Sequence, residues 1–123
     1  MAKIDIPSLV REAINDPEFS REMRFFDGTI KVTVGADESL LKFRDGKLLS
    51  AEKGTAPDDQ CQIVVRGTDE HWEKMLERFP VPFFQCLQTT AVKHGLELST
   101  TNQTFAYLPA LNRLVQFIRE KHN

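Results

Sequence analysis

The chain has 123 residues, of which 41% are apolar and 28% charged, with a formal net charge of −2. That length suits one ordinary globular core and not two, and so even a charge balance offers no basic field for nucleic acid. No run approaches the roughly 18 apolar residues of a transmembrane span, and Met1-Ala2-Lys3-Ile4-Asp5-Ile6-Pro7 lacks the apolar block of a signal peptide, so the expected compartment is cytoplasmic.

In chain order, Ile6, Leu9, Val10, Ala13 and Ile14 recur at offsets of three and four, which predicts a helix with one apolar face. Pro7 falls near its start, where a missing N–H is harmless. Asp16-Pro17 reads as a cap and restart, giving a short second helix that turns Phe19 and Met23 inward. From Phe25 the period becomes two. Ile30, Val32 and Val34 alternate with Thr29, Lys31 and Thr33, as in a half-buried strand. Gly35 to Glu38 turns the chain, Leu41 and Phe43 continue the inward face, and Asp45-Gly46 suits a tight hairpin. Leu48, Leu49 and Ala51 form the returning strand; Lys53 to Asp59 is a polar loop; Cys61, Ile63 and Val65 mark a fourth strand. The pattern to this point is an antiparallel meander.

Thr68 caps the next helix, with Asp69 and Glu70 in its first turn, where the helix dipole favours negative charge. Trp72, Met75, Leu76 and Phe79 form its apolar stripe, and Pro80-Val81-Pro82 stops it. Phe83, Phe84, Cys86 and Leu87 are expected in a second, short apolar helix, and Leu96 and Leu98 in a fifth strand. Phe105, Leu108, Leu111, Leu114, Val115 and Ile118 share one face of a C-terminal helix, which Pro109 either bends or opens. The expected fold class is α+β: a five-stranded, mostly antiparallel sheet with helices packed on one face. Residues 1–123 read as a single domain, with N-terminal helices over 1–24 and the remaining elements over 25–123.

The constellations of catalysis are missing from this pattern. His71, His94 and His122 are far apart, and none has a second ligand at a metal-binding spacing, so no metal and no cofactor is expected. The pairs Asp37-Glu38, Asp58-Asp59 and Asp69-Glu70 fall at turns or a helix start, where carboxylates are locally favoured. Ser99-Thr100-Thr101-Asn102 has no base near it in sequence and reads as a helix cap. Cys61 and Cys86 sit in apolar stretches and read as reduced, buried thiols.

Large apolar side chains are concentrated in the last third. They either fill a core or surround a dry space for an apolar guest, and composition does not separate the two. The order of elements resembles the sterol-carrier-protein type-2 family. Ile30–Val34 with Leu40–Leu48, including Asp45-Gly46-Lys47, is similar to that family's hairpin. Gln60–Glu70 followed by Trp72 resembles its strand leading into a helix, and His94–Leu98 into Tyr107–Leu114 resembles its last strand and closing helix. Two features depart from it: Thr100-Thr101-Asn102 stands where the family often has Gly-Asp, and Lys121-His122-Asn123 is not a peroxisomal targeting tripeptide.

The resemblance implies a chain that binds a lipid or other apolar small molecule between sheet and helices, as a carrier or accessory domain. The candidate ligand-binding residues are Phe79, Phe83, Phe84, Leu87, Phe105, Leu108, Leu111, Leu114 and Val115, with Trp72 a weaker candidate. A second reading is a full-cored interaction module that pairs with itself as a homodimer or with an enzyme, favoured by apolar residues such as Phe117 off the main helix face. A third is an enzyme acting on a lipid-like substrate, with His94, Tyr107 or Glu97 as the polar group in the pocket.

Overall fold

In the computed structural model, which describes residues 4–123, five strands form one mixed sheet in the order β3-β2-β1-β4-β5. Met1–Lys3, part of the stretch read for a leader, lie outside the described residues. Two helices come first. In α1 (Ile6–Ala13) the carboxylate of Asp5 accepts from the backbone N–H of Ser8, and Ile6, Val10 and Ala13 are buried. In α2 (Pro17–Glu22) Asp16 caps the backbone N–H of Phe19, whose ring is buried.

The strands β1 (Gly28–Val34), β2 (Asp37–Arg44) and β3 (Lys47–Lys53) form the expected antiparallel meander. Asp45 and Gly46 both adopt positive φ in the β2–β3 turn, which matches the twist of the strands they join. The adjacent leucines of β3 are explained by a bulge. Leu48 pairs with Phe43 and Ser50 with Lys42, so Leu49 is the extra residue and is exposed.

The meander does not extend to β4 (Ile63–Gly67). This strand crosses to the other side of β1 and runs parallel to it, Ile30 opposite Ile63 and Val34 opposite Gly67. The polar loop between β3 and β4, with a 3-10 turn at Asp58–Gln60, crosses the outer face of the sheet. Lys31 holds it there, donating to the carbonyl of Ala56 at 2.7 Å and pairing with Asp58 at 2.5 Å. The alternation of β1 suggests a wet outer face, yet Lys31, under that crossing, and Thr33 are both buried.

After β4 come α3 (Asp69–Met75), α4 (Leu87–His94), the two-residue edge strand β5 (Glu97–Leu98), α5 (Asn102–Ala106) and α6 (Leu108–His122). Helix α3 ends at Met75, so its buried stripe is Trp72, Met75 and Leu76, without Phe79. No helix forms over Phe83–Cys86. Phe83 has φ of 75°, a left-handed conformation that a helix cannot include, and α4 begins only at Leu87. Pro109 opens α6 instead of bending a longer helix, and Phe105 belongs to the separate α5, capped by Thr101. The Phe26 ring meets those of Phe43 and Tyr107 edge-on at 5.8 and 4.9 Å, tying β2 to the α5–α6 junction. Helices α1, α2 and α6 pack together over the β2–β3 side, while α3 and α4 reach β4 and β5. Among the described residues no helix is long and apolar enough to cross a membrane.

Candidate functional site

Between the inner face of the sheet and α6 lies a small unfilled space of about 20 Å³. Val32 and Val65 form its floor from adjacent parallel strands, because β1 and β4 place alternate residues inward in step. Leu111, Leu114, Val115 and Ile118 form its roof, at offsets of three and four along α6. Ile6, Trp72 and Leu87 close it from α1, α3 and α4.

Every lining side chain is apolar except the indole N–H of Trp72, which donates to the carbonyl of Thr33 at 2.9 Å. A water needs two to four polar partners, and this seam has none to spare, so the space is dry. It is also far smaller than the roughly 300–1,000 Å³ of a site for a small molecule. A guest therefore enters only if elements separate. The eleven-residue connection 76–86, between α3 and α4, has no regular structure of its own. It joins the helices that carry Trp72 and Leu87, two of the residues that close the seam.

Four of the nine candidate residues, Leu87, Leu111, Leu114 and Val115, line this space. Phe84 is buried but stacks on the His94 ring, centroids 3.9 Å apart and planes 10° from parallel. Leu108 is half-buried at the start of α6, and Phe79, Phe83 and Phe105 are exposed. Ile6, Val32, Val65 and Ile118 also line the space, beyond the candidates that sequence reasoning finds. Their periodicity marks them as core, but nothing in a periodicity shows which core residues border unfilled volume.

The polar groups lie elsewhere. Nδ1 of His71 accepts from the N–H of Thr68 while Thr68 Oγ1 accepts from the N–H of His71, a reciprocal cap. Its Nε2 is 2.7 Å from the carbonyl of His94, which requires the Nε2–H tautomer. Glu97 pairs with Arg66 on the outer face, and the Tyr107 ring packs on Phe26. His94, Tyr107 and Glu97 thus do not share a pocket. Cys61 and Cys86 are both free thiols, and burial raises the pKa of Cys61 above the ordinary value. Among the described residues no group of three His, Cys, Asp or Glu side chains is placed to hold a metal ion.

Several wider depressions are open to solvent, two of them of similar size. One of about 530 Å³ lies among Asp5, Pro7, Arg11, Glu52 and Lys53. The other, about 510 Å³, runs along the outer β4–β5 edge past Cys61, Val64, Arg66 and Val92. Charged side chains line both, and neither would shield an apolar guest.

The sequence matches no protein-family profile and no curated protein. Solved structures do match. A crystal structure of sterol carrier protein 2 superposes with a TM-score of 0.70 at 18% identity, covering 92% of each chain. A conserved hypothetical protein from Thermus thermophilus, described as possibly a sterol carrier protein, gives 0.66 at 17% identity, over 98% of this chain and 92% of its own. The UbiJ-SCP2 ubiquinone synthesis protein gives 0.58 at 20% identity, over 91% of this chain and 88% of its own. The chain has the sterol carrier protein 2 fold, an α+β fold built on a mostly antiparallel sheet.

Proposed function

We propose that this chain reversibly binds a lipid or other apolar small molecule, which parts α6 and the 76–86 connection from the sheet. The observation that carries this reading is the dry seam under α6, lined by apolar side chains from six elements. At roughly 25 cal/mol per Å², enclosing even about 300 Å² of a guest contributes several kcal/mol before the costs of opening and ordering. With no titratable group in the seam, carriage is favoured over chemistry on the bound molecule. The fold shared with a structure named sterol carrier protein 2 supports the same reading. We place this activity in the cytoplasm, where both thiols stay reduced.

Likeness to a ubiquinone synthesis protein favours, as a second reading, an accessory module that presents an apolar substrate to an enzyme. The two share the ligand and differ in the partner.

Titration of a fluorescent fatty acid into wild type, Leu111→Trp and Asp45→Asn tests the reading. Leu111 lines the seam, and a tryptophan there more than fills a space of about 20 Å³. Affinity should fall at least about tenfold and stability by about 1–3 kcal/mol. Asp45, in the β2–β3 turn, should leave binding unchanged. Absence of binding by wild type across acyl and sterol probes, or equal binding by Leu111→Trp, would refute the proposal.

A further inference from the structure

The connection between α3 and α4 exposes apolar side chains that the fold has no internal use for. Phe79 is 82% exposed, Val81 48% and Phe83 44%, all within five consecutive residues. They are presented on a firm base. Arg119 of α6 donates through Nε to the carbonyl of Met75 at 2.8 Å and through Nη2 to that of Gln85 at 3.2 Å, so one guanidinium grips both ends of the connection. Asn123 adds a bond to the carbonyl of Leu76 at 2.7 Å. At Phe83 the backbone is left-handed; the Phe84 ring stacks on His94, while the Phe83 ring only flanks the same imidazole at 6.5 Å and stays partly in solvent.

The chemistry of this tip favours the boundary of a lipid bilayer. Between Arg78 and Leu96 there is no aspartate or glutamate. The Arg78 guanidinium lies 5.4 Å from the Phe79 ring centroid and the Lys93 ammonium 5.2 Å from that of Phe83, which pairs each ring with a cation. Rings that enter the acyl boundary while their cations stay at the headgroup phosphates make up the usual interfacial anchor. Glu77 precedes this stretch, and Glu120 shares a groove with Arg78 and Arg119, so the preference for anionic lipid is modest. Around Phe83 few backbone donors are left open: Pro80 and Pro82 carry no N–H, that of Phe83 is held by Gln85 Oε1 and that of Phe84 by the carbonyl of Val81. A protein partner fits less well, because two phenylalanines and a valine at these exposures offer on the order of 400 Å², about half of one side of a stable interface.

We infer that the 76–86 connection docks the molecule on an anionic lipid bilayer, with Phe79 and Phe83 inserted and Arg78 and Lys93 at the phosphates. Docking needs no guest in the seam, so it stands or falls separately from the ligand titration above.

Flotation of the full chain with phosphatidylcholine vesicles, with and without about one-third phosphatidylglycerol, provides the test. Wild type should float with both and about threefold better with the anionic vesicles. Phe79→Ser should lower the bound fraction about tenfold with an unchanged melting temperature, since that ring touches little of the fold. Phe79→Trp should keep binding and shift its emission to the blue on vesicles. Phe105→Ser, which removes an exposed ring elsewhere, should bind as wild type does. Failure of wild type to float, equal flotation of Phe79→Ser, or equal loss in Phe105→Ser would overturn the inference. So would sedimentation showing that Phe79→Ser dissolves a dimer, which would make the tip a contact between copies.

Discussion

Asp16 caps α2 and also receives both Nε and Nη2 of Arg113, each at 2.9 Å, so one carboxylate joins the second helix to the last. The Arg113 guanidinium, followed by the N–H of Phe19, lowers its pKa from the ordinary 3.8 to about 2. The folded state thus favours the charged form. This contribution is complete above pH 4 and is lost as pH falls through about 2. Asparagine still caps but holds no charge. Asp16→Asn should therefore lower stability at neutral pH and flatten its decline between about pH 4 and 2, as measured by urea unfolding at each pH. An unchanged decline would assign the acid sensitivity to other carboxylates. Asp58, lowered by Lys31 and Arg66, is the next to examine.

At the scale of elements, the β2–β3 turn and the α4 terminus both carry a left-handed glycine, with different surroundings. Gly46 has φ of 77°, and a Cβ there would lie 2.9 Å from the Arg24 Cα and the Met23 carbonyl oxygen. Gly95 has φ of 78° with nothing within 4 Å of the same atom. Gly95→Ala should cost about 1 kcal/mol, the conformational penalty alone, and Gly46→Ala about 2 kcal/mol or more, since backbone must shift as well. Equal costs in thermal melts would show that the turn yields freely. Asp45-Gly46 was legible in the sequence because its cause is local, as were the Asp16 cap and the strands with strict alternation. The position of β4 was not, since pairing beside β1 depends on a crossing held by Lys31 and Asp58, contacts made far apart in the chain. Likewise the run from Phe79 to Leu87 carries helical hydrophobicity, but two prolines and the conformation of Phe83 override it. At the candidate seam, the face of α6 was readable as Leu111, Leu114 and Val115, whereas its floor and the small volume depend on how the sheet and four helices meet.

For the molecule as a whole, the ligand reading requires motion of particular parts. Hydrogen exchange should be slowest in β1, the central strand of the five, and fast across 76–86. Saturation with a bound fatty acid should change protection in α6 and in residues 76–87 while leaving the β2–β3 turn as it was. Protection appearing at the outer β4–β5 edge instead would move the site to that depression. The crossing of β4 and the Asp16–Arg113 pair have a further consequence, which concerns time. The contacts that complete the inner layer join residues 97 positions apart, and β1 gains its parallel neighbour only after three other segments have been passed. Closure of such long loops precedes any reward from them, which places this chain among the slower small folds. As it leaves the ribosome, α1 meets β2 and β3 early, whereas the apolar face of α2 lacks its main partner until α6 emerges, so for that helix the order of synthesis runs against the order of burial.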